Sequence, residues 1–152
     1  MSMYDAFKTD AKKEAEGIIV DFTTFRVRIR RAGGANKLYS KTMEKLVAPH
    51  RRMLQLGQLP EATMKAIVAE GYAKAIVVDW EYKHEDAGDG LSDPVVVWKS
   101  GIELADGSMG EVTPDNVKDI LIEVPYIFDV IKEAAENITS FSNDGDKDAA
   151  KN

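Results

Sequence analysis

No cysteine occurs in the chain. That excludes disulfides, zinc–thiolate sites and thiol nucleophiles. Histidine is nearly as scarce, at two residues, His50 and His84. No apolar run approaches the roughly 20 residues that span a bilayer. The opening MSMYDAFKTDAKKEAEG lacks the apolar stretch of a secretory signal. A soluble, cytoplasmic protein with no membrane association is expected.

Motifs that carry chemistry are also missing. The glycine pair in AGGANKLYSK (residues 32–41) has neither the spacing of a phosphate-binding loop nor the three glycines of a dinucleotide fingerprint. It reads as a plain loop between a strand and a helix. No Gly-x-Ser-x-Gly elbow is present, and nothing gathers a nucleophile, a base and an orienting acid. His84, Glu85 and Asp86 are adjacent, so their side chains do not share a face, and no second cluster completes a metal site. NDGDKD (residues 143–148) opens like a calcium loop but lacks the glycine at its sixth position and the glutamate at its twelfth. The expectation is a protein that is not an enzyme and holds no metal or cofactor.

What is there is a globular composition, 44% hydrophobic and 30% charged over 152 residues, enough for one domain with a core. The net charge of −6 is unevenly spread. Residues 1–59 hold 12 Lys and Arg against 6 Asp and Glu, whereas residues 60–152 hold 8 against 20. A basic stretch can steer acidic partners, but the acidic remainder argues against general nucleic-acid affinity.

Residues 1–16 are charged and alanine-rich, a short helix or a fraying end. GIIVDFTTFRVRIRR (residues 17–31) has the β-branched and aromatic content of strands. Ile18, Val20 and Phe22 share one parity and Phe25, Val27 and Ile29 the other, which demands a bulge or reversal near Thr23–Thr24. Arg26, Arg28 and Arg30 then stand together on the outer face of a half-buried hairpin. KLYSKTMEKLVAPHRRM reads as a helix with Tyr39, Met43, Leu46 and Val47 on its apolar stripe, ended or kinked at Pro49. From Pro60 the spacing of Ala62, Ala66, Ala69, Ala73, Ile76 and Trp80 predicts one helix running to about Tyr82. Its small residues would let another element approach closely, and the stripe itself belongs to the core.

HEDAGDGLSD (residues 84–93) reads as a polar loop. Two short strands follow, joined around Ser100–Gly101, with a second turn at Asp106–Gly107. Thr113 is a good N-cap before Pro114. Pro125 divides the closing helix into a stripe of Val117, Ile120, Leu121 and Val124 and a second of Ile127, Phe128, Ile131, Ala134, Ala135 and Ile138. Residues 142–152 have too little apolar content to be ordered. The fold class expected is α+β, a mainly helical single domain over residues 17–141 with an N-terminal β-hairpin and a second short hairpin.

The residues offered for partner binding are the basic ones: Arg26, Arg28, Arg30, Arg31, Lys37 and Lys41, with Lys45, Arg51 and Arg52 beyond them and Glu44 the one acid among them. Changing Arg26, Arg28 and Arg30 together to serine should weaken a partner complex without unfolding the domain. RNA is a poorer partner, because the interleaved aromatics, Phe25 and Tyr39, are wanted by the core rather than for base stacking.

The order of the pieces resembles the tail assembly chaperones of long-tailed bacteriophages. The likeness covers residues 17–141. It is carried by Asn36, Lys37 and Tyr39 at the start of the first helix, by Asp79–Trp80–Glu81, by the Asp-Gly … Thr-Pro-Asp-Asn turn, and by Leu121, Pro125 and Phe128 in the closing helix. The resemblance implies a protein that binds the tape measure protein, keeps it soluble and helps bring tail tube subunits to it. Such proteins work in the host cytoplasm and are absent from the finished virion. Many relatives are extended by a ribosomal frameshift into a longer form that meets the tube protein, and the codons of Lys151–Asn152 would suit an A-rich slippery run. Self-association is left open. The other readings are a head–tail completion or tube-associated adaptor and a small nucleic-acid-binding regulator using the arginine strand.

Overall fold

The switch of parity at Thr23–Thr24 is a chain reversal. Strand β1 (Ile18–Asp21) pairs antiparallel with β2 (Phe25–Ile29), Ile18 opposite Ile29 and Val20 opposite Val27. Both apolar sets therefore face the same side. Thr23 closes the turn in the left-handed region at φ 78°, and its amide donates to the Asp21 carboxylate at 2.7 Å. The computed structural model describes residues 2–4, 8–86, 90 and 94–142. The acidic tail beyond Ser142, including the calcium-loop-like NDGDKD, lies outside the described residues.

A short helix, α1 (Ala11–Glu16), precedes the hairpin and is capped by the Asp10 side chain. It enters β1 through Gly17, at φ 86°, where an added Cβ would run into the Ile29 carbonyl oxygen. The segment is also tied to the far end of the chain. Thr9 bridges to Ser142, and Lys13 Nζ donates to the Ser142 carbonyl at 2.8 Å.

Helix α2 (Lys37–Val47) follows the AGGAN loop. Asn36 fixes that loop in three ways. Its side-chain oxygen accepts from the Tyr39 amide, while Nδ2 donates to the carbonyls of Arg31 at 2.9 Å and Ala75 at 3.0 Å. Pro49 sits in a single 3-10 turn, Ala48–His50, and a short helix, α3 (Arg51–Gln55), continues from it.

Helix α4 spans Glu61–Ala75 and not the longer range that its spacing predicts. The chain becomes strand β3 (Val77–Asp86). The 4–3–4 spacing of Ala69, Ala73, Ile76 and Trp80 is real, and all four are buried. Ile76, however, is the cap that ends α4, still in the helical region, and Trp80 reaches the core from the strand. The stretch from Asp79 to His84 also alternates with period two, and pairing with β2 decides between the two patterns, as tertiary context commonly does. His84–Asp86 accordingly belong to β3 and not to a loop.

The sheet order is β1-β2-β3-β4, antiparallel throughout, with β4 at Val95–Ser100. A bulge at Arg28/Ile29 lets Val27 face Trp80 and Ile29 face Val77. The two short strands expected to join around Ser100–Gly101 are there, β4 and β5 (Ile102–Glu103), but they do not pair with each other: the chain leaves this sheet at Gly101, and β5 pairs with β6 (Met109–Gly110) as a separate hairpin. The turn at Asp106–Gly107 stands, with Gly107 at φ 86°.

Helices α5 (Pro114–Glu123) and α6 (Pro125–Glu136) are the two expected pieces. The Thr113 hydroxyl accepts from the Asn116 amide at 3.2 Å, as the N-cap requires. The fold is α+β, mainly helical and a single domain. Helices α4, α5 and α6 cover one face of the sheet, and the core joins Val27, Ile29 and Trp80 to Tyr72, Leu121 and Phe128. Within the alanine seam Ala69 and Ala73 are buried core, whereas Ala66 is half-buried and Ala62 exposed, and α2 packs closely on α4 at Gly71, where a Cβ would meet the Met43 sulfur.

Candidate functional site: an acid-rimmed apolar groove

Three of the six predicted partner residues, Arg26, Arg28 and Arg31, are engaged within the domain. Arg26 and Arg28 stand on the outer face of the sheet, opposite Glu81 and Asp79 on β3. Arg26 Nε lies 3.0 Å from Glu81 Oε1, and its guanidinium carbon is 4.3 Å from the centre of the Trp98 ring. Arg28 donates to the Glu16 carbonyl at 3.4 Å. Arg31 pairs with Glu14 at 2.8 Å. Arg30 lies just past the strand, its Nε buried without a hydrogen-bond partner among the described residues. Lys37 and Lys41 are exposed on α2. The structure therefore does not gather these six residues into one open patch.

What it does gather is on the other side of the sheet. Only part of the inner face is covered. Near the open end of β2 and β3, a cavity of about 760 Å³ lies between the sheet, the β5–β6 hairpin, and the junction of α5 with α6. That volume suits a small ligand or several side chains of a partner.

Its floor is aromatic. Phe22, Phe25 and Trp80 form a stack, with ring centres 4.6 Å and 5.4 Å apart and planes nearly parallel. Phe25, Trp80 and Tyr82 face the cavity. Period two on β2 and β3 puts these rings on one face. The walls are aliphatic: Leu104 and Met109 from the hairpin, Ile120 from α5, and Val124 and Ile127 at the break before and after Pro125. The predicted stripes are thereby divided. Val117, Leu121, Phe128 and Ile131 are buried, while Ile120, Val124 and Ile127 line the groove. Val124 is 39% exposed and Met109 45%, so apolar surface opens directly to solvent.

The rim is acidic. Glu103, Asp106, Asp119 and Glu123 line the groove, and among the described residues Lys83 is the one cation that does. Asp119 and Glu123 are one helical turn apart on α5, beside Ile120 and Val124. At the hairpin turn the Ser108 hydroxyl and amide donate to Asp106 at 2.6 and 2.9 Å. Those hydrogen bonds hold its carboxyl below the usual carboxylate range, so it stays charged well into mild acid.

Chemically, an apolar lining with a rim of carboxylates is complementary to an apolar segment flanked by basic residues. Among the described residues no three His, Cys, Asp or Glu side chains come together as metal ligands. His84 lies within β3 opposite Val97, its ring edge-on to Tyr82. The groove was not singled out from the sequence, because assigning residues 76–82 to a helix scattered Trp80 and Tyr82 away from Phe25. Two signals were available: the alternation of Asp-Trp-Glu-Tyr-Lys-His, and the spacing of Asp119, Ile120, Glu123, Val124 and Ile127 along one helix face. Compared with protein-family models, curated proteins and solved structures, the chain matches none of them.

Proposed function

We propose that the protein is a non-catalytic assembly chaperone, of the kind that attends the tape measure protein of a bacteriophage tail in the host cytoplasm. In this reading it holds apolar helical segments of that client in solution until tail tube subunits arrive. The observation that carries it is the groove, with exposed apolar walls, an aromatic floor and four carboxylates on its rim. A holdase needs apolar surface beside solubilising charge. An amphipathic helix laid in a groove supplies the matching geometry, and flanking lysines or arginines on the client would meet the rim. The net charge of −6 favours dispersion of the complex. The likeness of the motif order to the tail assembly chaperones supports the choice of client.

The test is coexpression with a tape measure fragment that precipitates alone. The fragment should remain in the soluble fraction when the wild-type chain is present. It should precipitate when Met109→Asp and Val124→Asp are introduced together, two exposed positions whose change leaves the core intact. A fragment that precipitates equally with and without the wild-type chain sinks the chaperone reading. Full protection by the double variant sinks the groove as its site.

A further inference from the structure

The eight residues Arg51–Gln58 are all exposed, although five of them form helix α3. Helices of soluble domains normally hide an apolar face. Here Met53 is 42% exposed, Leu54 42% and Leu56 59%. The chemistry around this protrusion is one-sided: Lys45, Arg51 and Arg52 are present, and no acid occurs between Glu44 and Glu61. The result is a small apolar knob with a basic collar.

The groove described above is its chemical complement. It offers an apolar lining where the knob has Met53, Leu54 and Leu56, and carboxylates where the knob has Arg51 and Arg52. None of the knob's residues lines the groove of its own chain. We infer that the α3 knob of one copy docks in the groove of a second copy, so that the protein associates head to tail. Both halves of the contact are attractive between copies, the apolar one through burial and the charged one through complementary potential. Such a contact uses two different surfaces, so it propagates and yields a ring or an open chain rather than a closed pair. A knob of this size lies at the low end of specific interfaces, which makes the association weak and concentration-dependent. The inference takes the groove as a polypeptide-binding site, as the proposed function does, but it requires no client.

Sedimentation velocity on the full chain, from about 10 µM to about 1 mM, reads out the affinity range expected of a weak contact. The sedimentation coefficient should rise with concentration at about 50 mM salt and rise much less at about 500 mM, because rim charges are screened. Two charge-reversed variants then decide the geometry. Arg51→Glu with Arg52→Glu reverses the knob, and Glu103→Lys with Glu123→Lys reverses the rim. All four positions are exposed, and circular dichroism checks that each variant keeps the fold. Each variant alone should associate at least about tenfold more weakly than the wild type, and an equimolar mixture should recover association, since each knob then meets an opposite groove. A wild type that sediments as a monomer throughout, variants that associate normally, or a mixture that stays monomeric would each overturn the inference. Coexpressing the knob-reversed variant with the tape measure fragment separates the two ideas. Its groove is intact, so it should protect the client while staying monomeric; in the wild type, client protection without self-association removes only the head-to-tail contact. Self-association without client protection removes only the chaperone reading.

Discussion

Arg26 offers the sharpest test of where the arginine face spends its charge. The guanidinium is held between Glu81, at 3.0 Å, and the ring of Trp98, at 4.3 Å. The Arg26 and Glu81 side chains are 29% and 25% exposed, so the pair is partly screened by solvent. Pairs of that kind are worth about 0.2–1 kcal/mol. A guanidinium over an accessible indole contributes about 0.5–1 kcal/mol more. Arg26→Ala should therefore cost about 1–2 kcal/mol. At about 2–4 °C per kcal/mol for a domain of this size, the midpoint falls by roughly 2–8 °C. Part of that loss is packing of the aliphatic stem over its neighbours, and Arg26→Met keeps the stem while removing the charge.

Urea unfolding of a double-mutant cycle isolates the contacts themselves. Pairing Arg26→Met with Glu81→Gln should give a coupling of about 0.5 kcal/mol that shrinks in about 1 M salt. Pairing Arg26→Met with Trp98→Leu should give a coupling of similar size, about 0.5–1 kcal/mol. If both couplings vanish within about 0.2 kcal/mol, the guanidinium is not held as described and is free to serve a partner. The same argument changes the expectation for the triple serine variant of Arg26, Arg28 and Arg30. It should lose stability, so a partner role for basic residues is better read at Lys37 and Lys41, both exposed.

Two further outcomes are expected. Asn36→Ala removes an N-cap and two donors to carbonyls, which together should cost about 2–3 kcal/mol in urea unfolding; Asn36→Asp keeps the cap oxygen but loses the donors, and wild-type stability in that variant would show that the amide is not bridging Arg31 to Ala75. Tyr72 is fully buried, and burial, then the nearby Tyr39 and Glu136, push its phenol far above 10. Its stability contribution is therefore complete below pH 10 and is lost as pH climbs from there toward the raised folded value, with a slope of up to about 1.4 kcal/mol per pH unit. Thermal midpoints between about pH 9 and 11.5 should fall less steeply in Tyr72→Phe, and parallel curves would refute that burial as the cause.

Local chemistry was legible where one short-range rule governs a residue. The parity change between Phe22 and Phe25 required the hairpin, Thr113 required a helix start, and Pro125 required a break. Asn36 stood out only through the resemblance, and its structural reason is a side chain joining strand end, helix start and the C-terminus of α4. The error at residues 76–82 has a physical origin. Ile76 and Trp80 fit a helical stripe and an extended one equally well, and only the opposing Val27 on β2 selects the strand. The groove inherits that ambiguity, because its walls come from β2, β3, the β5–β6 hairpin and α5, which no single window of sequence holds together.

The charge asymmetry of the chain takes on a different meaning once folded. Counting by halves puts basic residues before Leu59 and acidic ones after it. Folding consumes part of that contrast, since Arg26 meets Glu81 across the sheet, Arg31 meets Glu14, and Lys118 meets Glu70 between helices. Part of the remainder is grouped by place: Lys37, Lys41, Lys45, Arg51 and Arg52 on α2 and α3, and Glu103, Asp106, Asp119 and Glu123 around the groove. Surfaces of opposite sign on one molecule attract copies of that molecule as readily as they attract a partner. The head-to-tail contact and the client would then compete for one groove. A short knob buries little, whereas a client helix of the proposed kind, running the length of the groove and flanked by cations, would bury more. The neighbour should therefore cover exposed apolar surface while no client is present and yield when one arrives. That ordering requires client affinity to exceed self-affinity, and adding a client peptide to the associated protein should drive its sedimentation coefficient back toward that of the one-to-one complex.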